Sequence, residues 1–131
     1  MTDQEFLDAF ERCTLPKEQW THSAHIRMAW LYLREQPYEI AITKIREGIQ
    51  KYNASMGNSI GYHETVTCLY ARLVRDRMRT IGATSWEVFA QGCDDLFDRK
   101  SPPSLKYYRK ETLELPEARA RFIEPDLQPL P

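Results

Sequence analysis

The chain has 131 residues, 42% of them hydrophobic and 28% charged, with a formal charge of −1 from 18 Lys and Arg against 19 Asp and Glu. That balance excludes an intrinsically disordered polyelectrolyte, and it gives no basic footprint for nucleic acid or for an anionic membrane. No apolar run approaches a membrane span, and Met1-Thr2-Asp3-Gln4-Glu5 is acidic where a secretion signal is basic and then apolar, so the expected location is cytoplasmic. Three widely spaced cysteines, Cys13, Cys68 and Cys93, write neither a disulfide framework nor a zinc knuckle.

Helical spacing recurs between the turn signals and strand alternation is scarce, which predicts an all-α bundle of about five helices in one domain. Thr2-x-x-Glu5 has the form of a capping box, and Phe6, Ala9, Phe10 and Cys13 follow at helical spacing over 2–13. A second helix is expected over 21–36, capped by Thr21, with Trp20 placed before the cap as a hydrophobic staple. Its stripe is His22, His25, Ile26, Ala29, Trp30 and Leu33. Pro37 opens a third helix carrying Ile40, Ala41, Ile45, Ile49 and Tyr52 to about Ala54, and Asn53 to Gly61 is read as a loop.

A fourth helix runs from about Tyr62 to Ile81, with His63, Val66, Thr67, Tyr70, Leu73 and Val74 assigned to one face and Gly82 as its stop. Thr84-x-x-Glu87 is taken to cap a fifth, anchored by Trp86, Phe89, Ala90 and Phe97, with Gly92 a weak point. Prolines punctuate the tail from about 101 onward. Leu105, Tyr107, Tyr108, Phe122, Ile123 and Leu127 are too apolar for a free linker, so the tail is expected to pack across the bundle, with short helices near 105–109 and 117–122.

The candidate chemistry rests on the only three histidines. His22 and His25 stand i, i+3 apart on one side of the second helix, and His63 opens the fourth. If the third helix runs antiparallel to both neighbours, all three rings meet at one end of the bundle. Three imidazoles with an open position form a first shell for a divalent transition metal, Zn or Fe before others. Glu64 is the candidate acid/base or the residue that orients a ligand, and Thr67, Tyr32, Tyr70 and Tyr108 are the candidate substrate contacts. Those tyrosines have packing as their competing role, while Thr21 and Thr65 are read as capping and helix-bonding hydroxyls. Cys13 is a soft ligand or a small core residue, and Cys68 and Cys93 are core thiols.

Beside a purely structural polar cluster, three functional readings stay open: a metal-dependent enzyme, hydrolase or oxygenase, acting on a small molecule; a pocket for a small anionic metabolite without metal; and a helical interaction protein whose tail or exposed aromatics dock a partner. The pair is not H-E-x-x-H, so it does not point to a zincin.

Trp20-Thr21-His22-Ser23-Ala24-His25 and Tyr62-His63-Glu64-Thr65, together with Tyr107-Tyr108 and the closing stretch from Ala118 to Pro131, resemble a family of small uncharacterised bacterial proteins, nearly over the full length. The resemblance implies a bacterial origin and a shared purpose for the two histidine motifs, and it names no reaction. Three-histidine metalloproteins on helical bundles, such as the DinB-like group, are similar in type of site only.

Overall fold

The computed structural model describes all 131 residues, and every regular element in it is helical. The chain divides into two units, residues 1–62 and residues 63–131. No helix is long and apolar enough to cross a membrane.

The first unit holds α1 (Asp3–Glu11), α2 (His22–Glu35) and α3 (Tyr38–Ser55), with a 3₁₀ turn at Lys17–Gln19. The capping box at the head of α1 is complete: Glu5 N–H donates to Thr2 Oγ1, and Thr2 N–H donates to Glu5 Oε1. At its other end Cys13 takes the left-handed conformation (φ 60°), and the amides of Cys13 and Thr14 donate back to the carbonyls of Phe10 and Ala9. That is a Schellman closure with cysteine in the position that glycine usually fills. It drives Leu15 into the core, fully buried, where its carbonyl accepts from the Tyr52 hydroxyl at 2.7 Å.

Helices α2 and α3 pack along each other and α1 lies against both. Gly48 permits the approach of α1 to α3: a Cβ there would stand 2.7 Å from Phe10 Cε2. The buried surface of α2 is broader than its predicted stripe, running through Ala24, Ile26 and Met28–Tyr32, and His22, His25 and Leu33 lie half-buried at its margin.

In the second unit α4 (Glu64–Ile81) is the axis. Helices α5 (Trp86–Gln91), α6 (Ser104–Tyr107), α7 (Lys110–Leu113) and α8 (Pro116–Ala120) follow, with a 3₁₀ turn at Asp94–Phe97. Both α6 and α8 pack on α4. The predicted fifth helix is shorter than expected: Ser85, not Thr84, caps it, and it stops at Gly92, so Phe97 belongs to the separate 3₁₀ turn. The buried face of α4 is also turned from the predicted one. Thr65, Cys68, Leu69, Ala71, Leu73 and Val74 are buried, whereas Val66, Thr67 and Tyr70 are only half-buried. The predicted stripe gave Thr67 and Tyr70 the weight that Cys68 and Leu69 carry.

The proline-rich tail is strapped to its own unit by named hydrogen bonds. Thr65 Oγ1 donates to the Arg121 carbonyl at 2.9 Å and accepts from Ile123 N–H at 3.2 Å. The Tyr108 hydroxyl donates to the Ile123 carbonyl, and Leu127 N–H donates to the Tyr107 carbonyl. Asp126 accepts from Arg109 N–H and from the Thr112 hydroxyl.

Candidate functional site

Each predicted site residue has a definite place. His63 is the N-cap of α4: its Nδ1 accepts from Val66 N–H at 3.1 Å, and its Nε2 lies 2.7 Å from the Leu113 carbonyl. A carbonyl only accepts, so Nε2 carries the hydrogen and Nδ1 is bare, which assigns a neutral ring with both nitrogens in use. A metal at either nitrogen must displace one of these bonds.

His25 donates from Nδ1 to the Thr21 carbonyl at 2.7 Å and lies flat on Trp20, with ring centroids 3.8 Å apart. His22 is half-buried in the first turn of α2. His22 and His25 belong to the first unit and His63 to the second, and no group of three or more His, Cys, Asp or Glu side chains is placed to hold a metal ion.

The remaining candidates are engaged locally. Glu64 Oε2 accepts from the Cys68 thiol at 3.3 Å, one helical turn away. The Thr67 hydroxyl folds back onto the His63 carbonyl at 2.7 Å, an intrahelical bond. Tyr32 donates to Glu11 Oε2 at 2.6 Å; burial first and that carboxylate second push its phenol far above the ordinary range. Burial likewise raises Tyr70, and it raises Tyr108 to about 12, with Glu124 adding to the effect. At neutral pH all three phenols stay protonated, and Tyr32 and Tyr108 donate, to Glu11 and to the Ile123 carbonyl. Thr21 caps α2 as expected, accepting from Ala24 N–H, but the hydroxyl of Thr65 is fully buried and secures residues 121–123 instead.

The first unit contains a cavity of about 510 Å³ that the sequence reading did not find. It is a half-open groove: the buried Tyr52 and half-buried Trp20 form its floor, and Lys17, Asn53, Met56 and residues 57–60 complete the lining. The turn follows from the end of α3. Gly57 adopts φ 76°, its N–H donates to the Ala54 carbonyl, and Asn58 N–H donates to the Asn53 carbonyl. This is a second Schellman closure, here with glycine at the left-handed position. Asn58 Oδ1 then accepts from the amides of Ile60 and Gly61, which holds the wall upright.

The floor is built from an aromatic layer. Trp20 stacks on Phe10 at 4.8 Å and on His25 at 3.8 Å, and Tyr52 lies 5.1 Å from Trp20. Burial raises the Tyr52 phenol, with Cys13 and Glu18 adding smaller effects, so it stays protonated and bonded to Leu15. Lys17 is the single charged residue of the lining, and no carboxylate lines it. The sequence carried one usable signal: a glycine followed by Asn-Ser-Ile after a long amphipathic helix marks a turn that folds back, three dozen residues after an aromatic staple.

Comparison with family models, with curated proteins and with solved structures finds no match. The resemblance of the histidine motifs therefore brings no relative whose site can be carried over, and the functional reading rests on the geometry of this chain.

Proposed function

We propose that the chain is a binding module for a small anionic molecule, taken up in the cavity of residues 1–62. The carrying observation is the lining itself, in which one lysine and no carboxylate accompany two aromatic rings, a thioether and two amides. Its volume of about 510 Å³ falls within the roughly 300–1,000 Å³ of small-molecule sites, and it is a half-open groove in which polar and apolar lining surface are nearly balanced. Lys17 supplies the attraction for a negative group, and Asn53, Asn58 and Ser59 supply hydrogen-bonding groups that orient it. This reading needs neither metal nor turnover.

A thermal-shift panel tests it, using carboxylates, inorganic phosphate, neutral analogues, Zn(II), Fe(II) and a chelator. Ligand at about 100 times its dissociation constant adds about 2.7 kcal/mol of stability. Stabilisation by anions that is weakened in Lys17→Glu and indifferent to chelator supports the module. Stabilisation by metal alone, lost in His22→Ala, His25→Ala and His63→Ala, overturns it in favour of a three-histidine metal enzyme.

A further inference from the structure

Resting on that reading, we infer that the ligand is an aromatic monocarboxylate, a planar ring bearing one carboxylate on a short arm. The charge of the lining sets the anionic part. A single ammonium, on an exposed lysine, is the one positive charge of the lining, and with the Glu18 carboxylate close enough to act on Tyr52 a second negative charge on the ligand gains nothing from the protein. An exposed ion pair is weak in water, so most of the affinity must come from apolar contact.

The apolar surface for that contact is in place. Ile60 is 83% exposed and Met56 37% exposed, and both line the same cavity as Trp20. A body covering these side chains removes a contiguous apolar surface from water. The ring types then select an aromatic body over an aliphatic one. Trp20, half-buried with Phe10 and His25 already stacked on it, offers a ligand ring its remaining edge, and the Met56 sulfur rewards a ring edge within reach, whereas the Tyr52 ring is 1% exposed and offers no free face. Trp20 is already fixed by its stacking on Phe10 and His25, so little ordering accompanies binding.

Isothermal titration calorimetry with four probes tests the inference on the full chain: phenylacetate, cyclohexylacetate and 2-phenylethanol, which are of similar size, and the smaller inorganic phosphate. Phenylacetate is expected to bind about two- to tenfold more tightly than cyclohexylacetate, the margin an aromatic pair provides beyond its area. It is expected to lose up to about fivefold in Lys17→Glu, a surface substitution that leaves the fold intact. An Ile60→Ser variant, also at an exposed position, is expected to weaken both acetates. Equal affinity for the two acetates overturns the aromatic class and leaves the anion module standing. Preference for 2-phenylethanol overturns the carboxylate, and preference for phosphate overturns the whole class. Binding of none of the four overturns the cavity reading with it.

Discussion

Trp20 packs face to face on His25 across the start of α2, their ring centroids 3.8 Å apart. With Thr21 as N-cap, Trp20 is the residue before the cap and His25 the fourth helical residue, the two positions of a hydrophobic staple. The histidine thus fixes the entry angle of the chain into α2, and with it the indole that floors the cavity. Replacing His25 with Ala is expected to cost about 0.5–1.5 kcal/mol through loss of the ring contact. His25→Phe, which keeps a flat ring, is expected to recover most of that in urea unfolding. Equal losses in both variants would show that the imidazole nitrogens, not the ring face, matter.

Gly48 sits where α1 and α3 come together. Replacing it with Ala raises helix propensity, which on a free helix surface gains roughly 1 kcal/mol. Here the added Cβ meets the buried Phe10 ring at 2.7 Å. The expected net result is a destabilisation of about 1–3 kcal/mol, the range for overpacking. In the Gly48→Ala/Phe10→Leu double variant the combined loss is expected to be smaller than the sum of the single losses. Strict additivity in denaturant titrations would contradict the close contact.

The two polar residues at the head of α4 hold the second unit's tail, and their removal is expected to loosen it. Thr65→Val keeps the shape but takes away both the bond to the Arg121 carbonyl and the acceptor for Ile123 N–H. The cost is expected to be about 1–3 kcal/mol, with faster proteolysis after residue 120. His63→Asn is expected to keep the cap and lose the link to Leu113, so it should fall between wild type and His63→Ala, which loses about 0.5–2 kcal/mol of capping. Limited proteolysis that proceeds at the wild-type rate in all three variants would remove the strap from consideration.

Acid should destabilise the second unit through two carboxylates. The bidentate pair with Arg77 holds the Asp95 carboxyl below its ordinary range, and the hydrogen bonds from Thr112 and Arg109 N–H do the same for Asp126. A depressed pKa in the folded state gives stability that is present above the unfolded value, about 3.9, and is lost as pH falls through the folded value. The melting temperature of wild type is therefore expected to fall below about pH 4 more steeply than that of Asp95→Asn and Asp126→Asn. Parallel curves for all three would count against both interactions.

Much of the fold was legible because local rules govern it. The Thr2 capping box, the Thr21 cap, the Trp20 staple and the Gly82 stop all read directly from short-range chemistry and recur in the structure. The rotation of α4 was not legible, since Thr65, Cys68 and Leu69 compete with Val66, Thr67 and Tyr70 on nearly equal terms until α6 and α8 pack against one side. The histidines were read from residue type and spacing alone. Their bonds to Thr21, Val66 and Leu113 depend on where backbone carbonyls and amides fall, and periodicity does not encode that. The cavity escaped for the same reason: its wall arises from the Schellman closure at Gly57, and Tyr52 in its floor is held by the Leu15 carbonyl that follows the closure at Cys13, where the left-handed residue is not glycine.

The most direct measurement is a ¹H–¹⁵N correlation spectrum of the full chain titrated with phenylacetate. Saturable shifts centred on Lys17, the Trp20 indole N–H and residues 53–60 are the expected result. Saturable shifts centred within residues 63–131 would contradict the placement of the ligand site, and an unchanged spectrum at millimolar ligand would contradict the binding itself.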